Sequence, residues 1–313
     1  MTDIQFVYFL FSHMYKPKTQ GWQELSARRF EQVPFVPTMK EKYDLWMQSV
    51  TSAVVQPNFT ETGWGLTRAP QELVDTLREA VRSAYDAGDY RDESFVDVVD
   101  GSQPIFIDRP DLTRRVVKEL HPMHEAWAGI PLTPQQAYGF RLYRNESSLL
   151  MHIDKSDTHI ISCILHIDSS DDAEPWPIVI EDFTGKTNEV ILTPGDMLFY
   201  ESSKCFHGRP SKFIGSWYSS VFVHYYPSDP EWKETNHKLE SHYAVPIEWQ
   251  DKPDREPTLP EVEVRGTSLR EPGCPNDWCS LQNAVKWRGP AEFDYVLTAG
   301  PTRFPLWGER DEL

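Results

Sequence analysis

The spacing of apolar residues predicts two amphipathic helices in the first half of the chain. Over 70–86, apolar residues recur every three or four positions, at Leu73, Leu77, Ala80, Val81 and Ala84. This period places one apolar stripe along a helix, facing a core. A second stripe predicts a helix over 111–127, which Pro122 is expected to kink or end. A further helical segment is expected around 39–54.

After residue 136 the pattern changes to short β-rich runs. The runs are rich in β-branched and aromatic residues, polar or Gly/Pro turns separate them, and they cover 138–144, 158–167, 177–181, 189–192, 196–200 and 216–226. Short strands at this spacing are typical of a sandwich or barrel, here of the jelly-roll type. Because the helices precede the strands, we expect a mainly β protein with flanking helices around a jelly-roll core.

This change of pattern divides the chain into three expected regions. Residues 1–136 are expected to form a mostly helical support region packed on the core, and 137–228 the β core itself. Residues 229–313 are expected to form an extension rich in proline and tryptophan. At the N-terminus, the apolar run from Ile4 to Phe11 is expected to be a buried strand.

The charge balance excludes several kinds of partner. Lys plus Arg number 31 and Asp plus Glu number 48, which gives a net charge of −17. Nucleic-acid binding needs a basic footprint, so no nucleic-acid partner is expected. The sequence also lacks an apolar stretch long enough for a membrane span. The acidic surface suits a neutral or basic substrate, and the oligomeric state stays open.

The cysteines and the C-terminus bear on the compartment. Cys163 and Cys205 are expected to be packed, whereas Cys274 and Cys279 either form a local disulfide or stay free thiols. The last four residues, Arg310 to Leu313, resemble the KDEL-type address. They suggest the lumen of the endoplasmic reticulum, with the cytoplasm as the alternative.

One set of residues has the pattern of a metal site. His152 and Asp154 are two positions apart beside a β-run, and in a strand such residues point to the same face. His207, from a later strand, completes a set of two imidazoles and one carboxylate. Such a set leaves coordination positions open, which suits Fe(II) chemistry with dioxygen.

A second triplet competes with the first. His166 and Asp168 repeat the same spacing at the end of the next strand, but Asp168 runs into a polar loop and is expected to end that strand. His159 and His224 are interpreted as ordinary polar or core positions.

The chain resembles the 2-oxoglutarate- and Fe(II)-dependent dioxygenases of the prolyl-4-hydroxylase-like group. The resemblance covers roughly 138–227 and rests on the segments FRLY (140–143), HID (152–154), LTPGDMLFY (192–200), HGRP (207–210) and 216–226. It implies a double-stranded β-helix in which His152, Asp154 and His207 are the catalytic iron ligands.

The resemblance also implies residues that hold 2-oxoglutarate. Tyr143 stands where that group has a tyrosine reaching this cosubstrate. Where the group has a Lys or Arg after the distal histidine, this chain has Ser216 and Trp217. A buried carboxylate needs a charged partner. We expect Arg209 to supply it, with Arg141 second, because a guanidinium binds a carboxylate through two hydrogen bonds.

Together these observations predict an oxygenase. It would hydroxylate a C–H bond using Fe(II), 2-oxoglutarate and dioxygen, with ascorbate as a possible reductant. The first expected substrate is a peptidyl proline or another amino-acid residue, and a small amino acid is second. Two alternatives stay open: a cupin-like metal enzyme, hydrolase or isomerase, that does not use 2-oxoglutarate, and a non-catalytic β-scaffold that binds peptide.

Overall fold

The computed structural model describes most of the β core and parts of the flanking regions. The described residues are 19–33, 45–49, 51–52, 56–93, 96, 98–155, 158–230, 271, 273–289, 295–297 and 303–305. The expectations for the run from Ile4 to Phe11 and for the last four residues fall outside these ranges. None of the helices described is both long and apolar enough to cross a bilayer.

The two helices predicted from apolar spacing are present. Helix α1 spans Gln20–Gln32, α2 spans Gln71–Ala87 and α3 spans Pro110–Ala128. Both α2 and α3 end at a glycine in the left-handed conformation, Gly88 and Gly129. Pro122 lies inside α3, which continues past it to Ala128, so of the two expected effects, a kink or an end, the end of the helix is wrong.

Two sheets make up the core. A seven-stranded sheet has the order β1-β10-β7-β12-β5-β4-β2. Its strands are β1 (Trp64–Arg68), β2 (Arg91–Asp92), β4 (Ile105–Ile107), β5 (Leu132–Arg144), β7 (Ile161–Ser169), β10 (Asp196–Tyr200) and β12 (Trp217–Pro227).

The second sheet has six strands in the order β13-β9-β8-β11-β6-β3. Its strands are β3 (Val99–Asp100), β6 (Ser148–His152), β8 (Ile178–Glu181), β9 (Thr187–Ile191), β11 (His207–Arg209) and β13 (Val285–Arg288). A separate hairpin pairs β14 (Tyr295–Leu297) with β15 (Arg303–Pro305).

The strand order defines the fold. Strands β5, β7, β10 and β12 form the middle of one sheet, while β6, β8, β9 and β11 form the middle of the other. The chain therefore crosses repeatedly between two sheets that are antiparallel except for the parallel pair β9 and β13, as in a jelly roll. The protein has a double-stranded β-helix core with flanking helices, as the sequence predicted.

Apolar clusters hold these layers together. Helices α2 and α3 pack on the outer face of the seven-stranded sheet through residues such as Leu77, Leu120 and Leu165. Between the sheets, Leu66 and Ile164 meet Ile180. Strands β1, β3 and β4, which precede residue 137, pair directly with core strands. The three-region division stays a prediction.

The described cysteines fall into two kinds. Cys163 and Cys205 are buried free thiols, as expected. Cys274 and Cys279 form a disulfide, which decides between the two alternatives left by the sequence.

Candidate metal centre

Strand register brings two histidines face to face. His152 is the last residue of β6 and His207 is the first residue of β11, and the two are direct partners in the antiparallel pairing. Directly opposite residues on one face are close neighbours, and these two rings lie 4.5 Å apart between centroids. Asp154 follows β6, where its backbone N–H donates to the Ser202 carbonyl at 2.8 Å.

The three side chains converge on one point. Asp154 Oδ1 lies 3.6 Å from Nε2 of His152 and 3.7 Å from Nε2 of His207. One ligand atom from each of the three residues lies within 4.8 Å of the others. Among the described residues, no other set of three or more His, Cys, Asp or Glu side chains converges in this way.

Backbone carbonyls fix the orientation of both imidazoles. Nδ1 of His152 donates to the Leu150 carbonyl at 2.6 Å, and Nδ1 of His207 donates to the Cys205 carbonyl at 2.9 Å. The proton is therefore on Nδ1 in each ring, and the Nε2 lone pairs face Asp154. Metal-binding histidines are commonly held in this way.

The electrostatics suit a cation. Burial, together with the nearby His152 imidazole, lowers the pKa of His207 to about 4, so His207 is neutral near pH 7. Burial alone would raise the pKa of Asp154, but His207 and His152 outweigh it and that pKa is lowered. A neutral imidazole and an ionised carboxylate are the forms that bind metal.

A cavity of about 590 Å³ opens beside the three side chains. Tyr143 and Arg141 line it, together with His152, Asp154 and His207. The Tyr143 hydroxyl is buried without a hydrogen-bond partner among the described residues. Glu93 accepts two hydrogen bonds of 2.7 Å from Nε and Nη2 of Arg141, whose guanidinium lies beside the Tyr143 ring. The cavity wall thus presents one hydroxyl without a described partner, beside a guanidinium.

Arg209, the first expected carboxylate partner, lies elsewhere. Its side chain is buried, donates to the Trp176 carbonyl and to the Tyr218 hydroxyl, and packs over both of those aromatic rings. It is not among the residues that line the cavity.

The second triplet has structural contacts instead. His166 stacks on Tyr218 at 4.0 Å between ring centroids, and its Nδ1 donates to the Ser219 carbonyl. Asp168 accepts a 2.6 Å hydrogen bond from Arg82. Both side chains are therefore occupied away from the cavity.

Sequence reasoning missed several cavity residues. His159 and His224 line the cavity with their rings 3.8 Å apart between centroids, although both were interpreted as ordinary positions. Tyr200 also lines it, and its hydroxyl approaches Asp154 Oδ2 at 3.4 Å. For His224 the missing information was the register between β12 and β7, which no local motif reveals.

Comparisons with solved structures give distant similarities. A crystal structure of a Pseudomonas putida prolyl-4-hydroxylase is 16% identical, with a TM-score of 0.42 over 58% of this chain and 100% of that chain. HygX from Streptomyces hygroscopicus, crystallised with nickel, 2-oxoglutarate and hygromycin B bound, is 13% identical, with a TM-score of 0.41 over 53% of this chain and 84% of that one.

A prolyl hydroxylase from Trichoplax adhaerens, in complex with a peptide fragment of hypoxia inducible factor, is 11% identical. Its TM-score is 0.41 over 64% of this chain and 96% of that chain. The chain is similar in structure to 2-oxoglutarate-dependent oxygenases. The chain matches no protein-family model and no curated protein.

Proposed function

We propose that this protein is a 2-oxoglutarate- and Fe(II)-dependent oxygenase that hydroxylates a C–H bond. The observation that supports it best is the convergence of His152, Asp154 and His207 on one point beside the cavity. Two imidazole nitrogens and one carboxylate suit non-haem iron because they leave positions open for other ligands.

The residues present fit such a metal. The two Nε2 lone pairs already face the Asp154 carboxylate, and backbone carbonyls hold both rings in that tautomer. The protein therefore supplies three prearranged donors and one negative charge. An iron held there supplies, with 2-oxoglutarate and dioxygen, the oxidising chemistry that the side chains themselves lack.

We assign the far carboxylate of 2-oxoglutarate to Arg141 and Tyr143. The support is that the Tyr143 hydroxyl lines the cavity without a described partner, and that the Arg141 guanidinium, which also lines the cavity, lies beside it. The two hydrogen bonds to Glu93 already hold the Arg141 guanidinium in place. Little side-chain entropy is therefore lost when a carboxylate binds to it. Arg209 already donates to Trp176 and Tyr218, and this favours Arg141 for the role.

The proposed substrate is a peptidyl proline or another amino-acid residue. The cavity has room for more than the cosubstrate, and neutral polar side chains line it next to the metal ligands, Gln135, Gln136, Tyr138 and Thr158 among them. Such side chains can form hydrogen bonds with a peptide backbone.

Metal analysis and succinate formation test the proposal. Protein prepared without oxygen should bind about one Fe(II) per chain, and it should release succinate when 2-oxoglutarate, ascorbate and air are added. Proline-containing peptides and free amino acids are then compared for their stimulation of succinate release.

The two HID triplets provide a matched pair of variants. Asp154→Asn should lose iron binding and turnover, whereas Asp168→Asn should keep both. Iron binding without 2-oxoglutarate turnover would favour a cupin-like metal enzyme. A protein that binds no metal would be a scaffold, and equal iron binding by the two variants would contradict the assigned site.

A further inference from the structure

His224 stands beside the metal centre without belonging to it. On β12 it is the direct partner of Ser162 on β7, and it lines the cavity. Its Nδ1 lies 4.0 Å from Asp154 Oδ2. It is not in the group of three whose ligand atoms converge. The question is which of its two ring nitrogens carries the proton.

A chain of hydrogen bonds answers that question. The Ser202 hydroxyl donates its one proton to the His159 carbonyl at 2.7 Å. The 2.8 Å bond between the Ser162 and Ser202 hydroxyls must then be donated by Ser162. Ser162 has no second proton, so in its 2.8 Å bond with Nδ1 of His224 the imidazole is the donor. The tautomer of His224 is therefore Nδ1–H.

The remaining nitrogen of His224 is an acceptor open to the cavity. Nε2 has no hydrogen-bond partner among the described residues, and it is not sealed in the core as Nε2 of His124 is. The ring is buried, with 5% of its surface exposed, and burial disfavours the charged imidazolium form, so the ring is neutral near pH 7. A neutral Nδ1–H imidazole has an unprotonated Nε2 with a free lone pair.

We infer that His224 is a substrate-positioning residue whose Nε2 accepts a hydrogen bond from an N–H or O–H group of the substrate. The inference rests on the proposed oxygenase function. It names the substrate as a molecule with a hydrogen-bond donor close to the C–H group that is hydroxylated. A secondary amide N–H or a hydroxyl group meets this requirement. The tertiary amide of proline does not, so in a peptidyl-proline substrate the donor is the N–H of a neighbouring residue.

The tautomer can be measured without any turnover. In ¹⁵N-labelled protein loaded with Zn(II), protonated and unprotonated imidazole nitrogens give well-separated signals, and His224→Asn identifies the signals of His224. We expect Nδ1–H in the wild type. Ser202→Ala removes the acceptor of the Ser162 proton, so Ser162 should donate to His224 and move its proton to Nε2. If His224 carries its proton on Nε2 in the wild type, the inference is wrong. It is also wrong if the proton stays on Nδ1 in Ser202→Ala.

Kinetics test the positioning role. His224→Asn keeps a donor near Ser162 but lacks the atom at Nε2. With the peptide that best stimulates succinate release, we expect KM to rise about tenfold with a smaller change in kcat. Methylating the donor nitrogen of that peptide should raise KM for the wild type but add little in His224→Asn. The matched control is His121→Asn, a helix histidine outside the cavity.

The outcomes separate the two proposals. If KM is unchanged in His224→Asn, or methylation acts equally on both proteins, His224 does not position the substrate. If Zn(II) affinity falls tenfold or more in His224→Asn, His224 is a metal ligand and the inference is wrong. If no compound gives succinate while the tautomer results hold, the oxygenase function fails and the assignment of the proton stands.

Discussion

The Tyr143 hydroxyl is a polar group that the folded protein leaves unused. It is buried beside Arg141 without a described hydrogen-bond partner, on the wall of the cavity. Burying a hydroxyl without a partner costs free energy, so such groups in native proteins call for an explanation. A bound carboxylate would supply the missing acceptor.

Tyr143→Phe tests this reading at the residue scale. We expect KM for 2-oxoglutarate to rise about 10- to 100-fold, because a hydrogen bond to a charged group contributes about 1.5–3 kcal/mol. The free energy of unfolding without ligand should stay the same or increase, since the change removes an unsatisfied group. Succinate assays and urea unfolding give the two quantities. A large loss of stability with unchanged KM would place the hydroxyl in a structural role.

The lowered pKa of the buried His124 makes the free energy of unfolding depend on pH. Burial lowers its pKa to about 3, while its Nδ1 donates to the Leu120 carbonyl. Above about pH 6.5 the ring is neutral in both the folded and unfolded states. As the pH falls further, only the unfolded chain gains a proton at this residue, so the free energy of unfolding falls by about 1.4 kcal/mol per pH unit.

The variant His124→Asn should flatten that dependence. Asparagine retains an N–H for Leu120 but does not titrate. The dependence of the free energy of unfolding on pH, measured between pH 6 and pH 4, should therefore be less steep by about 1.4 kcal/mol per pH unit, the contribution of one proton. The smaller side chain leaves space beside Phe199 and Tyr225, which costs about 1–3 kcal/mol at pH 7. Urea unfolding at several pH values measures both effects, and parallel curves for the two proteins would contradict the assignment.

At the scale of elements, strand β11 determines where His207 lies. It is only three residues long, between β6 and β8, and its register with β6 shifts between His207 and Arg209. A Cβ atom on Gly208 would come within 2.7 Å of the carbonyl oxygens of Leu149 and Leu150. The Leu150 carbonyl also orients His152, so glycine at 208 lets the two strands approach closely enough to pair the histidines.

Gly208→Ala should therefore damage the proposed metal site without altering a proposed ligand. Backbone atoms cannot move aside as a flexible side chain can, so β11 must shift away from β6. We expect metal affinity to fall about 10- to 100-fold and the free energy of unfolding to fall by about 1–3 kcal/mol. Gly88→Ala is the control, since it has a positive φ but open space around it. It should cost stability and leave metal affinity unchanged.

The elements that the sequence predicted are those with a strong local pattern. Helices α2 and α3 have apolar stripes, and strands such as β7 and β12 are long runs of β-branched and aromatic residues. Helix α1 was missed because its buried face includes Arg29. Strand β6 was missed because its residues, SLLMH, include no β-branched side chain and no Phe, Tyr or Trp. The His152, Asp154 and His207 set was predictable from spacing, whereas His224 depends on partners that only sheet register brings near.

At the scale of the whole molecule, a buried ionic cluster joins distant parts of the chain. Arg29 on α1 forms ion pairs with Glu181 at the end of β8 and with Glu271, and it packs over the Trp278 ring at 3.9 Å. Glu271 also accepts a hydrogen bond from the backbone of Cys279, in the disulfide-closed segment. One guanidinium thus links α1, the six-stranded sheet and 271–289.

Removing that guanidinium should be costly. Arg29→Ala leaves two buried carboxylates without their cation, so we expect the free energy of unfolding to fall by about 3–5 kcal/mol at pH 7. Arg28 reaches Glu181 at 3.6 Å but is 42% exposed, so Arg28→Ala should cost less than about 1 kcal/mol. Urea unfolding of both variants measures the difference. The loss of unfolding free energy in Arg29→Ala should be smaller near pH 5, because burial raises the pKa of Glu181 and the carboxylate takes up a proton more easily there. Equal losses in the two variants would exclude a central role for Arg29.

The facing histidines of β6 and β11 are more than fifty residues apart in the chain. An ion shared by them acts as a removable cross-link between two strands. Because an ion that binds only the folded state adds about 2.7 kcal/mol of stability at a hundred times its dissociation constant, Fe(II), Mn(II), Ni(II) or Zn(II) should each raise the melting temperature according to affinity. A thermal-shift series on the wild type and Asp154→Asn would therefore rank the metals before any substrate has been identified.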